Sequence, residues 1–197
     1  MKWIIGIIFI IIWSYILSVM KRAELNSWRF FWGSFGLFIL IIAYIRPYVT
    51  EPLANIVAAL AGLFGGITHT FTPYFKYGTI FIETLHGSMT MQIDFECSGV
   101  LEIAAFLSLL LFFDVYNKKE KFVVSLIGAG AIIVSNALRI ILICEIIHFG
   151  GEGLYFLAHT FIGRIFFYVL SVLLYFFVFT KPHIVKMRVG SFSYDHN

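Results

Sequence analysis

Phe122 to Phe149 reads FVVSLIGAGAIIVSNALRIILICEIIHF, and its only formal charges are Arg139 and Glu145. A run of about 18 or more apolar residues with so few charges is long enough to cross a bilayer as a helix. It is too long for a strand. Similar runs stand on either side: Trp3 to Met20, Phe30 to Ile45, Leu53 to Thr68, Val100 to Tyr116 and Leu154 to Thr180. Over 197 residues the chain is 60% hydrophobic and 13% charged, with a mean hydropathy of +0.93. Soluble domains average about 45–50% apolar and about 25% charged residues, so a water-soluble globule and a disordered chain are both excluded. The expected fold is an all-α polytopic membrane protein, a helical bundle of five to six membrane segments. One transmembrane domain is expected over 1–186, followed by a polar cytoplasmic tail over 187–197. The net charge is only +3 and the basic residues flank apolar spans, which argues against nucleic-acid binding.

The basic residues predict orientation. Lys21, Arg22 and Arg29 follow the first run, Lys118, Lys119 and Lys121 the fourth, and Lys181, Lys186 and Arg188 the last. The positive-inside rule places all three clusters in the cytoplasm. With all three inside, the third run, 53–68, dips in and returns or lies at the interface; a full crossing would instead put the first two clusters on opposite sides. Its short length and its glycines, Gly62, Gly65 and Gly66, suit a re-entrant or broken element. The first run lacks a small-x-small cleavage site after it and is expected to be a retained helix rather than a signal peptide.

Between the third and fourth runs the pattern changes. In YGTIFIETLHGSMTMQIDF, 77–95, two alternating stretches flank His86-Gly87-Ser88. Period-two alternation with glycine at the turn predicts a small extracytoplasmic β-hairpin, which delivers the chain to Glu96-Cys97-Ser98-Gly99.

Three chemically able side chains then fall at one level. Cys97 sits at the outer mouth of the fourth run. Arg139 lies 17 residues after Phe122, about 25 Å along a helix that starts inside. His159 lies about 8 Å into a helix entering from outside near Leu154. A thiol is most nucleophilic as a thiolate, which a nearby guanidinium or imidazolium favours. His159 can take a proton or hold an oxyanion, and Arg139 can stabilise an oxyanion with its donors. Asn136, one turn before Arg139, is expected to orient it. Gly99 allows a close backbone approach, and Gly163, one turn after His159, clears space on that face. Arg164, five residues from His159, points about 140° away on an α-helix. Glu96 and Asp94 read as polar flanks. Cys144, inside an apolar run, reads as packing. No CxxC, metal-finger or carboxylate/His ligand spacing occurs, so no disulfide framework, metal or organic cofactor is expected.

The order Glu96-Cys97-Ser98-Gly99, then Asn136-Ala137-Leu138-Arg139, then His159-Thr160-Phe161-Ile162-Gly163 with Phe166, resembles the exosortase/archaeosortase family. The short chain is similar to the Gram-positive variant called exosortase G. These motifs cover about 70 residues, Cys97 to Phe166. Glu96 stands where a small residue is more usual in the family, and the extra spans of longer members are missing. The resemblance implies a membrane-embedded cysteine protease or transpeptidase at the plasma membrane, with its site facing the extracytoplasmic side. Its substrates would be surface proteins with a C-terminal sorting signal: a short motif, a transmembrane helix and a basic cluster. It implies Cys97 as the nucleophile that forms an acyl-thioester, Arg139 as proton donor and His159 as transition-state stabiliser or base, supported by Ser98, Gly99, Asn136 and Gly163. A lipid or glycan amine is the implied acceptor.

Two other readings make different demands. A non-enzymatic scaffold or export partner of a surface-polymer system would pair Arg139 with Glu102 or Glu145. A lipid-phosphate phosphatase would need a Ser-Gly-His element, and Cys97-Ser98-Gly99-Val100 lacks the histidine.

Overall fold

The structure, a computed structural model, describes residues 2–74, 77–84 and 87–184. The expected tail over 187–197 and the hairpin tip at His86 lie outside the described residues. The protein is a helical membrane protein with a small antiparallel sheet at one end. Among the described residues four helices are long and apolar enough to cross a membrane: Ile4–Arg22, Asn26–Thr68, Lys118–Gly150 and Glu152–Ile184.

The helices are α1 (Lys2–Arg22), α2 (Asn26–Leu40), α3 (Arg46–Thr68), α4 (Val100–Phe112), α5 (Lys118–Gly150) and α6 (Gly163–Tyr175). α2 and α3 join through a π-helical turn, Ile41–Ile45, so helical geometry runs unbroken from Asn26 to Thr68. The Arg46-Pro47 step does not end the helix. Pro47 lies just after the π turn, whose wider hydrogen-bond spacing accommodates a residue that lacks an N–H. Nor do the glycines break α3; they seat the sheet. A Cβ at Gly62 would stand 2.2 Å from Pro73, and one at Gly65 would stand 2.5 Å from the Phe71 carbonyl oxygen.

The described residues of the three basic clusters gather at one end. Arg29 pairs with Asp114 beyond α4. The Tyr116 hydroxyl donates to the Val178 carbonyl at 2.6 Å, and the Lys121 ammonium to that of Leu111 at 2.7 Å. At the start of α3, the Arg46 guanidinium lies 3.6 Å over the Phe95 ring, two residues from Cys97. Arg29 to Arg46 along a helix is about 25 Å, close to the roughly 30 Å hydrocarbon thickness. α3 continues beyond that level, burying Ala54, Val57, Ala58 and Ala61 against the sheet and α5.

Two of the strands are the expected hairpin, β2 (Thr79–Thr84) and β3 (Gly87–Gln92), paired from Thr79↔Gln92 to Thr84↔Gly87. The third, β1 (Phe71–Tyr74), adds antiparallel to β2. It has four residues and contains Pro73, which disguises it as loop; proline is tolerated there because the strand is at an edge. Ile80, Ile82, Met91 and Ile93 point to one side and share a buried core with Ile143 and Ile147 of α5. Period-two alternation is therefore what docks the sheet on the bundle.

Inside a bilayer, lipid tails are as apolar as leucine, so helices associate through close packing. Glycines supply the holes. Phe112 fills the space a Cβ at Gly33 would take, Trp13 that at Gly36, and Phe106 that at Gly128, each within 2.5 Å of the would-be atom. These three contacts tie α2 to α4, α1 to α2 and α4 to α5.

Candidate active site

Cys97 sits in the turn between β3 and α4, and three local features build that turn. The Asp94 carboxylate accepts the N–H groups of Glu96 at 3.0 Å and Cys97 at 3.1 Å, an Asx-type turn. The Ser98 hydroxyl donates back to the Phe95 carbonyl at 3.0 Å. Gly99 caps α4 with φ +81, left-handed geometry that glycine adopts without steric cost. Asp94 is thus the hinge of the turn rather than a polar flank. Its signal in the sequence is its place three residues before the cysteine, just after an alternating strand. Ser98 and Gly99 shape the turn and are both buried.

α5 reaches the turn with two side chains one helical turn apart. The Asn136 amide donates to the Cys97 carbonyl. Asn136 is fully buried and holds the thiol's main chain; it does not orient Arg139 as expected. Arg139 is 4% exposed, with Nη2 3.8 Å from Cys97 Sγ. Its Nε has no hydrogen-bond partner among the described residues, and its guanidinium lies 5.8 Å from the Phe167 ring centre. Among the described residues no carboxylate lies within ion-pair distance of it. Glu102 lines the same cavity without pairing, while Glu145 accepts from Thr70 at 2.7 Å. A buried guanidinium with free donors is ready to bind developing negative charge.

The third side chain arrives on a π-helical turn, Leu157–Ile162. His159 Nε2 stands 3.0 Å from Cys97 Sγ, and Tyr155 stacks on the imidazole at 5.4 Å and 19°. Tyr155 was not singled out from sequence; its signal is its spacing, four residues before His159 on the same helical face. The π turn also changes the fate of Arg164. A 140° offset holds for an α-helix, but widening the turn to an i→i+5 bond brings residues five apart toward one side. Arg164 contacts Glu96 at 3.6 Å and lines a cavity of roughly 200 Å³ with Glu96, Glu102, Arg139 and Tyr168. Gly163 does not clear space for a ligand. A Cβ there would stand 2.7 Å from Ile143, so it lets α5 and α6 approach closely.

The electrostatics of the turn differ from the expectation that neighbouring cations leave a ready thiolate. Burial pushes the Cys97 thiol up to about 11; Arg139 pulls against that, and the carboxylates of Asp94 and Glu96 add to it. The resting pair is therefore a neutral thiol hydrogen-bonded to an imidazole. Such a pair becomes nucleophilic by passing the proton to His159 as the sulfur attacks. Cys144, the other free cysteine, lies buried in the core between α5, α3 and the sheet. Among the described residues no cluster of three or more His, Cys, Asp or Glu side chains is arranged to hold a metal ion.

A family model described as transmembrane exosortase (Exosortase_EpsH) matches residues 2–176. The match takes in the N-terminal helices as well as the segment from Cys97 to Phe166. No curated protein and no solved structure matches the chain.

Proposed function

The chain belongs to the transmembrane exosortase family, and on that premise we propose that it is a thiol peptidase/transpeptidase acting on a C-terminal sorting signal. The observation that carries this reading is the 3.0 Å contact between Cys97 Sγ and His159 Nε2, with Arg139 Nη2 3.8 Å from the same sulfur. Cys97 Sγ adds to the scissile carbonyl carbon while its proton passes to His159. The carbonyl oxygen gains the negative charge, and the Arg139 donors stabilise it. As the oxyanion collapses, the C–N bond breaks and His159 returns the proton to the leaving amine. The acyl group stays on Cys97 as a thioester until water or an amine attacks. In this scheme His159 moves the proton. Arg139 is too basic to give one up and acts through its hydrogen bonds, a narrower part than the proton-donor role the family resemblance implies.

Two further features support a membrane-anchored substrate. The Cys97 end lies opposite the described residues of the three basic clusters, which the positive-inside rule places in the cytoplasm, so the thiol faces the extracytoplasmic side of the plasma membrane. Tyr168 joins the polar cavity at Arg139 to an apolar lateral groove of roughly 620 Å³, lined among others by Phe30, Phe113, Tyr175 and Phe176. A substrate helix lying there presents its outer end to Cys97. The unpaired Arg139 speaks against the scaffold reading, which requires a glutamate partner.

The test compares C-terminal peptides of surface and secreted proteins, by mass spectrometry, between cells carrying wild type and Cys97→Ala. Proteins that keep a hydrophobic, basic-ended tail only with Cys97→Ala are the substrates. Equal tails at equal abundance of the two forms overturn the reading.

A further inference from the structure

The two edges of the sheet are built differently. β1 carries Pro73 and packs along α3, so its outer edge is covered. β3 reads GSMTMQ, with no proline and no charge, and among the described residues it pairs only with β2. Natural edge strands are usually protected by charge, proline, a bulge or a covering element. Among the described residues β3 has none of these.

The register fixes which groups are free. The Ile93 N–H donates to the Gly78 carbonyl at 2.7 Å, so Ile93, and by alternation Met91 and Met89, turn their main-chain groups toward β2. Ser88, Thr90 and Gln92 turn theirs outward, and no backbone partner meets them among the described residues. The edge then runs through the Asp94 turn directly into Cys97.

We propose that the outer edge of β3 binds the extended segment of the protein substrate that leads into its scissile bond, by strand addition through Ser88, Thr90 and Gln92. The inference rests on the thiol-peptidase reading above. A peptide bond inside an α-helix has its carbonyl engaged in the i→i−4 ladder, so the attacked segment must leave helical geometry. Near the hydrocarbon boundary, an unwound backbone without partners costs several kcal/mol per unsatisfied group. The free groups of β3 offset that cost without demanding particular side chains. Because β3 runs toward Cys97, a substrate entering from its own N-terminal side runs parallel to it.

Proline at an outward position removes a free N–H and leaves the β2–β3 ladder intact. Thr90→Pro and Gln92→Pro are therefore expected to lower removal of the Cys97-dependent tails about tenfold, the loss that one or two weakened hydrogen bonds produce. Cys97 labelling by N-ethylmaleimide stays at the wild-type rate. Thr90→Ala and Gln92→Ala process normally, because the side chains do not carry the contact. Full processing by both proline variants overturns the proposal. If the proline variants do not accumulate, p-benzoylphenylalanine at position 90 or 92 in the Cys97→Ala chain decides. Photo-adducts there with the tail-retaining proteins, and none at position 72 two strands away, support the proposal; no adducts, or equal adducts at position 72, overturn it. If Cys97→Ala leaves every tail unchanged, the peptidase reading fails and this inference with it. That outcome differs from tails that depend on Cys97 but ignore β3.

Discussion

Asn136 holds the carbonyl of Cys97 while Arg139, one helical turn further along α5, reaches its sulfur. One helix thus fixes both the main chain and the charge environment of the thiol. Replacing Asn136 with Ala leaves the buried Cys97 carbonyl without its donor, a loss of about 1–3 kcal/mol. Tail removal is expected to fall about tenfold or more while the protein still inserts. Asn136→Asp, which offers no amide donor, behaves like the alanine variant. Quantitative mass spectrometry of tail peptides reads both. Normal processing by either variant contradicts the positioning role.

The thiol's environment sets a pH signature. With the Cys97 thiol at about 11, only about one molecule in ten thousand carries a thiolate at pH 7. The reactive form is the deprotonated one, so alkylation rises with pH. Labelling of the detergent-solubilised protein by iodoacetamide should accelerate about tenfold per pH unit from 7 to 10. A rate that is flat over this range indicates a preformed thiolate–imidazolium pair and overturns the neutral-pair mechanism.

Arg139 tests geometry against charge. Lysine keeps the positive charge but loses the planar fork that reaches sulfur and oxyanion together. Arg139→Lys is expected to lower processing by about a hundredfold or more, within the usual range for removing an oxyanion donor. Membrane abundance should stay close to wild type. A mild effect returns Arg139 to a structural part and revives the scaffold reading.

These predictions draw unevenly on what was legible in the sequence. The membrane class and the β2–β3 hairpin follow from two periodicities, long apolar runs and strict alternation, which depend on local chemistry alone. The meeting of Cys97, Arg139 and His159 was legible through rise per residue, because membrane thickness gives every helix the same ruler. β1 was hidden by Pro73, since a four-residue strand has no periodicity to read. The neighbourhood of Arg164 was hidden by the π turn at Leu157–Ile162, where α-helical angles do not apply. The contact from Asn136 to the Cys97 carbonyl is not legible because spacing along α5 identifies its face but not what the loop before α4 presents to it. The high thiol pKa comes from burial, which no local pattern announces.

Asp94 separates shape from charge in the turn. Its carboxylate accepts the Glu96 and Cys97 N–H groups, and its charge also helps hold the thiol up. Asparagine keeps an acceptor oxygen and removes the charge. Asp94→Asn should lower the thiol's pKa, so iodoacetamide labelling at pH 8 becomes several-fold faster while tail removal is retained. Alanine removes acceptor and charge together. Asp94→Ala also lowers the pKa but releases the turn, so labelling speeds up while processing falls about tenfold, the loss expected for the two N–H contacts. Measuring both rates on both variants separates the effects. If the two variants process equally well, the Asx turn does not position the nucleophile, and the Asn136 contact must do so alone.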